Sequence, residues 1–178
     1  QSFNLHELLD TVLSFERSSH PGLRFTAYYD ASLPDIEADR DKLHQVFLNL
    51  VRNASEACPA DGRVRVLTRH CAHWELAGTN LDPTRRYILV SIEDEGPGIP
   101  EELRKNIFKP LFSTKKQGTG LGLSISFRLV ESHGGQLRYQ PSERSGACFQ
   151  VILPESQSES LEENSPNFVY QDLRKEIS

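Results

Sequence analysis

The stretch TKKQGTGLGLS, residues 114 to 124, sets Gly118, Gly120 and Gly122 at alternate positions, after two lysines and directly before an apolar run of helical period. No other feature narrows the possible folds of this chain as much. Glycine lets backbone N–H groups approach an anion, and a helix N-terminus favours negative charge, so the segment suits phosphate. It fits neither common phosphate template. A P-loop needs G-x-x-x-x-G-K-[ST], and a dinucleotide fold needs G-x-G-x-x-G directly after a strand. Here the spacing is G-x-G-x-G, and the preceding FKPLFSTKKQ is lysine-rich and proline-broken. Alternating glycines also imply mobility, the behaviour of a lid, with a flexible surface linker as the alternative for the segment alone.

The surrounding periodicities supply the scaffold. Residues 4–18 carry Leu5, Leu8, Leu9, Val12 and Leu13 at helical spacing. Residues 23–30 follow the Pro21–Gly22 turn and read as a strand. The strongest helix is expected over 39–57, with Asp39 as N-cap and Pro59 beyond its end. Strand-like runs follow at 63–70 and 86–94, separated by the irregular CAHWELAGTNLDPTR, which suggests an extended hairpin or insertion. A short proline-started helix over 100–108, a helix over 120–133, and strands at 135–140 and 147–154 complete the pattern. Helices and strands alternate only in part, which predicts an α/β two-layer sandwich: a mixed sheet covered on one face by about three helices.

Two further segments could carry chemistry. In the helix over 39–57, Gln45, Asn49 and Asn53 recur every four residues along an edge separate from the apolar face. Stacked asparagines offer neutral amide oxygens, suited to a Mg²⁺ that already carries phosphate charge; a solvated face is the plainer alternative. In EDEGPGIP (93–100), Asp94 ends an apolar strand and can accept an N–H₂ from a purine, while Gly96 and Gly98 let the backbone pass close to a flat ring. An Asp-Gly turn before a helix is the alternative there. Phe108 and Phe112 can anchor the ends of the glycine-rich loop, and Lys115 and Lys116 can meet terminal phosphates.

The charge balance suggests no basic face of nucleic-acid type. Formal net charge is −5, and the 25 residues from Pro154 hold six acidic against two basic groups, leaving about −1 for the rest. Residues 155–166 are Ser/Glu-rich and read as linker or disordered tail, so 1–154 is expected to be the domain and 155–178 an acidic tail. Cysteines 58, 71 and 148 are odd in number and well separated, pointing to a reducing, cytoplasmic compartment. Without a methionine the chain is expected to be part of a longer protein. No apolar run is long enough to span a bilayer, so no membrane contact is expected of this segment.

An Asn-lined helix, a D-x-G-x-G strand end, a Phe-x₃-Phe element and a G-x-G-x-G helix start occur in that order within about 80 residues. In this the chain resembles the superfamily of gyrase, chaperone, histidine-kinase and mismatch-repair ATP-binding domains, and most of all the catalytic domain of sensor histidine kinases. NLVRNASEA (49–57) would be the N box, DEGPGIP (94–100) and GTGLGL (118–123) the glycine boxes, and FKPLF (108–112) the F box. The resemblance covers residues 2 to 154. It implies a Bergerat-type fold, mostly antiparallel with about five strands and a flexible ATP lid, that binds ATP and Mg²⁺.

The same resemblance implies residue roles. Asn53 is the Mg²⁺ ligand, helped by Asn49. Asp94 meets the adenine amino group, with Gly96, Gly98 and Ile99 shaping the ring pocket and Phe108 beside it. Lys115 or Lys116, with the amides of Gly118, Thr119, Gly120, Leu121 and Gly122, holds the phosphates; Arg52 and Arg104 are further phosphate candidates. Asn49, Asn53 and Lys115 would be the catalytic set. ATP-hydrolysing members carry a glutamate at the Asn49 position to activate water. Asparagine accepts no proton at neutral pH, which favours a kinase over an ATPase.

The γ-phosphate would then pass to a histidine on a dimerisation domain absent from this chain, and from there to an aspartate of a response regulator. The sequence looks most like the nitrogen-regulation type, implying an NtrC-like regulator and a PII-type signal protein as partners. The segment would be monomeric and its parent a homodimer. A nucleotide-binding signalling module without transfer is the alternative from another class. His6 in LHELLD sits where the ATP domain begins and is expected to be a helix-surface residue, not the phosphoacceptor. His70 and His73 in HCAH lack a fourth ligand at metal spacing, and His44 and His133 are expected at helix surfaces or ends.

Overall fold

The computed structural model describes residues 1–115, 118–144 and 146–156. Helix α1 (Leu5–Ser19) starts where the Asn4 side chain accepts the N–H groups of His6 and Glu7, and it buries Leu5, Leu8, Leu9, Val12 and Leu13. Helix α2 (Arg40–Ala57) starts on the Asp39 carboxylate, which accepts Lys42 N–H at 3.1 Å, and buries Leu43, Val46, Phe47, Leu50, Val51 and Ala54. Both helices form where the apolar period and the capping residue agree.

Strands β2 (Arg24–Tyr29), β4 (Arg63–His70), β5 (Tyr87–Asp94), β6 (Gln136–Pro141) and β7 (Ala147–Pro154) form one sheet in the order β2-β4-β5-β7-β6. Only β2 and β4 run parallel, with α2 as the crossover between them; the other pairs are antiparallel. Side chains alternate strictly across the sheet. Val64, Val66, Ile88, Val90, Ile92, Phe149, Val151 and Leu153 face α1, α2 and helix α4 (Gly122–Ser132) in the main core. The expected two-layer sandwich is present, and Asp94 falls on its helix-covered face, in phase with Ile88, Val90 and Ile92.

Four features depart from the sequence reading. Ser2–Phe3 (β1) and Ile36–Glu37 (β3) form a small antiparallel sheet that two-residue runs do not announce. Residues 71–86 form no hairpin: they hold a 3₁₀ turn at His73–Leu76 that folds onto the sheet's other face, where Leu76 covers Tyr87, Leu89 and Ile152. The helix expected over 100–108 is one turn, α3 (Glu101–Arg104), followed by turns. His6 is half-buried, not a free surface residue: its ring stacks on Tyr29 at 4.4 Å and Nε2 lies 2.9 Å from Thr68 Oγ1. From residue 157 onward the expected acidic tail lies outside the described residues. Among the described residues no helix is long and apolar enough to cross a membrane.

Candidate functional site

Helix α4 holds the asparagine stripe of α2 in place. Asn49 Nδ2 donates to Ser126 Oγ at 3.1 Å, and a Cβ on Gly122 would collide with the Asn49 amide. Glycine at 122 therefore lets the first turn of α4 approach α2 closely. That helix starts at Leu121–Gly122 with no side chain bonded to its first amides. Those N–H groups are open to an anion beside the asparagines.

One turn along α2, Asn53 Oδ1 accepts Lys115 Nζ at 3.3 Å. The same ammonium pairs with Glu56, three residues further on the same helix edge. A cation is thus already accommodated between an amide oxygen and a carboxylate. Oxygen donors of this kind suit a hard ion such as Mg²⁺, and Asn53 is the residue that would hold it. Lys116 lies outside the described residues.

Asp94 closes β5 in a buried position. Its Oδ1 accepts Gly96 N–H at 2.8 Å and Ala147 N–H at 3.2 Å. Among the described residues Oδ2 takes no hydrogen bond, so one carboxylate oxygen is free to accept from a ligand. Burial pushes the Asp94 carboxyl above its ordinary value, against the two backbone N–H groups that hold it down. The backbone closes tightly around it: a Cβ on Gly96 would lie 2.6 Å from Ala57 O, and one on Gly146 would lie 2.8 Å from Asp94 Oδ1. Gly98 has φ +72°, which no Cβ-bearing residue adopts cheaply.

Ile99 is fixed from both sides. Its N–H donates to Tyr139 Oη at 3.2 Å, and its carbonyl accepts Arg104 Nε at 3.0 Å. The Arg104 guanidinium lies 5.4 Å from the Tyr139 ring centroid. Arg104 is therefore a clamp on the glycine loop rather than a free phosphate ligand. Phe108 packs on Phe127 at 5.2 Å and Phe149 at 6.4 Å, and Phe112 packs on the same core. Gly120, at φ +68°, passes directly over the Leu111 backbone.

The structure brings Asn49, Asn53, Lys115 and the start of α4 together, with Asp94 at the foot of the same helix layer. It does not bring Arg52. That side chain turns to the other flank of α2, where Nε bonds Glu16 Oε1 at 3.3 Å and the guanidinium lies 5.9 Å from the Phe15 ring. Position 52 is one residue, about 100° of helix, from Asn53, so adjacency in sequence sends it away from the asparagine edge. Glu56, Ser126, Tyr139 and Ala147 were not legible as site residues. Only Glu56 carried a usable signal, since it continues the Asn49–Asn53 edge.

This nucleotide-binding geometry has a family. The chain belongs to the histidine kinase-, DNA gyrase B- and HSP90-like ATPases, whose family model matches residues 38–157. It is similar to the sensory histidine kinase/phosphatase NtrB of Azospirillum brasilense, 38% identical over 154 residues, 85% of this chain and 38% of that protein. The signal transduction histidine-protein kinase AtoS of Escherichia coli is 36% identical over 156 residues, 86% of this chain and 24% of that protein. Among solved structures, the nucleotide-free catalytic domain of histidine kinase ThkA superposes with TM-score 0.74 at 34% identity, over 87% of this chain and 95% of that one. ThkA in complex with the response regulator TrrA gives TM-score 0.68 at 31% identity, over 88% of this chain and 42% of that one. The fold is that of a histidine-kinase catalytic domain, and the chain spans about two fifths of the length of the NtrB proteins it matches.

Proposed function

We propose that this domain binds ATP with Mg²⁺ and donates the γ-phosphate to a histidine on a dimerisation domain. The observation that carries the reading is one edge of α2 on which Asn49 lies against the open N-terminus of α4 and Asn53, one turn on, accepts Lys115. In that arrangement Asn53 supplies an oxygen to the metal, Lys115 and the α4 amides meet phosphate oxygens, and Asp94 Oδ2 accepts the adenine amino group. Asn49 sits where a hydrolytic relative would need a base. Its amide is spent on Ser126 and takes no proton from water. The chain's contribution is positioning and charge neutralisation, which phosphoryl transfer chiefly requires. The P–O bond to the ADP leaving group breaks as the imidazole nitrogen bonds phosphorus.

The phosphoryl group then passes to an aspartate of a response regulator. Several relatives that are NtrB sensory histidine kinase/phosphatases support a parent of the nitrogen-regulation type; on that reading its partners are an NtrC-like regulator and a PII-type signal protein. Three free thiols suit a reducing, cytoplasmic setting. The test incubates γ-labelled ATP and Mg²⁺ with a separately purified histidine-bearing dimerisation domain, with and without this chain. Acid-labile, base-stable label appearing only with the chain is the expected result. Nucleotide binding without label, even when the two domains are tethered, would replace transfer by a signalling role.

A further inference from the structure

Lys115 is placed by a partner that the phosphate reading does not require. Its ammonium touches Asn53 Oδ1 at 3.3 Å and is ion-paired with Glu56. Asn53 and Glu56 stand one turn apart on α2, and Asn49 begins the same edge. The uncapped start of α4 lies against Asn49 at the beginning of that edge. One negatively charged side chain thus shares a helix edge with the residues read as the nucleotide site.

We propose that Glu56 is a positioning residue that keeps the Lys115 ammonium on the metal-holding oxygen of Asn53 until a nucleotide-bound divalent cation displaces it. The inference rests on the reading of this edge as the Mg²⁺–nucleotide site. An ammonium 3.3 Å from Asn53 Oδ1 and a divalent ion bonded to that oxygen cannot coexist: a Mg–O bond is about 2.1 Å, and the two cations repel at that separation. Arrival of the metal therefore requires Lys115 to leave Asn53 and the place where Glu56 holds it, and the released lysine is then free for phosphate. The protein's own cation neutralises Glu56 while the site is empty and is spent on the ligand when it fills. The share of molecules with Lys115 on Glu56 weakens binding, because the apparent dissociation constant is the intrinsic one divided by the remaining competent fraction.

Both side chains are partly exposed, so the ion pair is modest and the effect on affinity is a small factor. Glu56→Gln keeps the shape and removes the charge. Titration calorimetry of the full chain with Mg·ADP should then give binding about two- to five-fold tighter than wild type. In a Lys115→Met background the same Glu56→Gln change should have no effect. Equal tightening in both backgrounds would overturn the proposal, because Glu56 would then act only by repelling phosphate. Weaker binding in Glu56→Gln would overturn it too, making Glu56 a metal ligand.

A second readout needs no nucleotide. Acetylation of Lys115, followed by peptide mass spectrometry, should run several-fold faster in Glu56→Gln than in wild type. Equal rates would mean that Glu56 does not hold the lysine. Failure of wild type to bind Mg·ADP at all would instead remove the nucleotide reading of the site, and this inference with it.

Discussion

At the scale of single residues, Asp94 makes the sharpest demand. Oδ1 is committed to two backbone N–H groups, and the other oxygen takes no hydrogen bond among the described residues. Asp94→Asn can keep both backbone bonds but turns the free acceptor into a donor, which would oppose the adenine amino group in the proposed binding mode. Hydrogen bonds to charged groups are worth about 1.5–3 kcal/mol, so Mg·ADP affinity should fall by about 10- to 150-fold, read by calorimetry. The melting temperature should not fall, because the wild-type carboxylate is buried at a cost. Its raised pKa fixes the sign: the Asp94 contribution to stability is fully present below the ordinary carboxyl value and lost as pH rises through the folded one. Ligand binding runs the opposite way, since protonation makes the free oxygen a donor, and should weaken on acidification before an ordinary aspartate would titrate. Asn53→Ala removes the amide oxygen and should abolish the Mg²⁺-dependent part of ADP binding, leaving affinities with and without EDTA equal. Asp94 and Asn53 could be singled out in the sequence because each occupies a defined place, a strand end and a four-residue helical repeat. Arg52 was misplaced because adjacency along a helix is not adjacency on its surface.

At the scale of elements, the site depends on how two glycine segments are held against helices and strands. Tyr139 and Arg104 grip Ile99 by its N–H and its carbonyl. Tyr139→Phe keeps the ring, with its edge contact to Phe149 at 5.5 Å, and frees one backbone donor. The loop over 96–99 should open more readily, with faster amide exchange at Ile99 and about three- to ten-fold weaker ADP binding, the loss of one ordinary hydrogen bond. Gly122→Ala has a harsher steric outcome, because the added methyl strikes Asn49 and pushes α4 away from α2. It should reduce phosphoryl transfer and nucleotide binding together. Long elements such as α1, α2 and β4 were readable because an apolar period, and in α2 a cap, agreed over many residues. The four-residue α3 and the β1–β3 pair are too short to carry a period, and their partners lie far along the chain. The grip on Ile99 was equally hidden, since Tyr139 reaches it across 40 residues.

At the scale of the whole molecule, the sheet separates two faces with different tasks. One face carries the helices and the site. The other is covered in part by residues 71–86, which the sequence showed only as an irregular interruption because their contacts are with distant strands. Glu75 fastens this cover: it takes a two-point ion pair from Arg69 at 2.6 and 2.7 Å and the Ala72 N–H at 2.8 Å, while Arg138 donates to its carbonyl at 3.0 Å. The Arg69 hydrogen bonds hold the Glu75 carboxyl below its ordinary value, so the stability it contributes is present above that value and lost as pH falls through the lowered one. Beside it, Leu76 packs on Tyr87, Leu89 and Ile152. Leu76→Ala should cost about 2–4 kcal/mol by emptying that small core, seen as a lower denaturant midpoint. Mg·ADP affinity should stay within two-fold of wild type, because Leu89 and Ile152 point away from α2 and α4 while their neighbours Val90 and Val151 carry the helix-facing core. A parallel fall in affinity would mean that the cover reaches the site through the sheet, and that the two faces act as one unit.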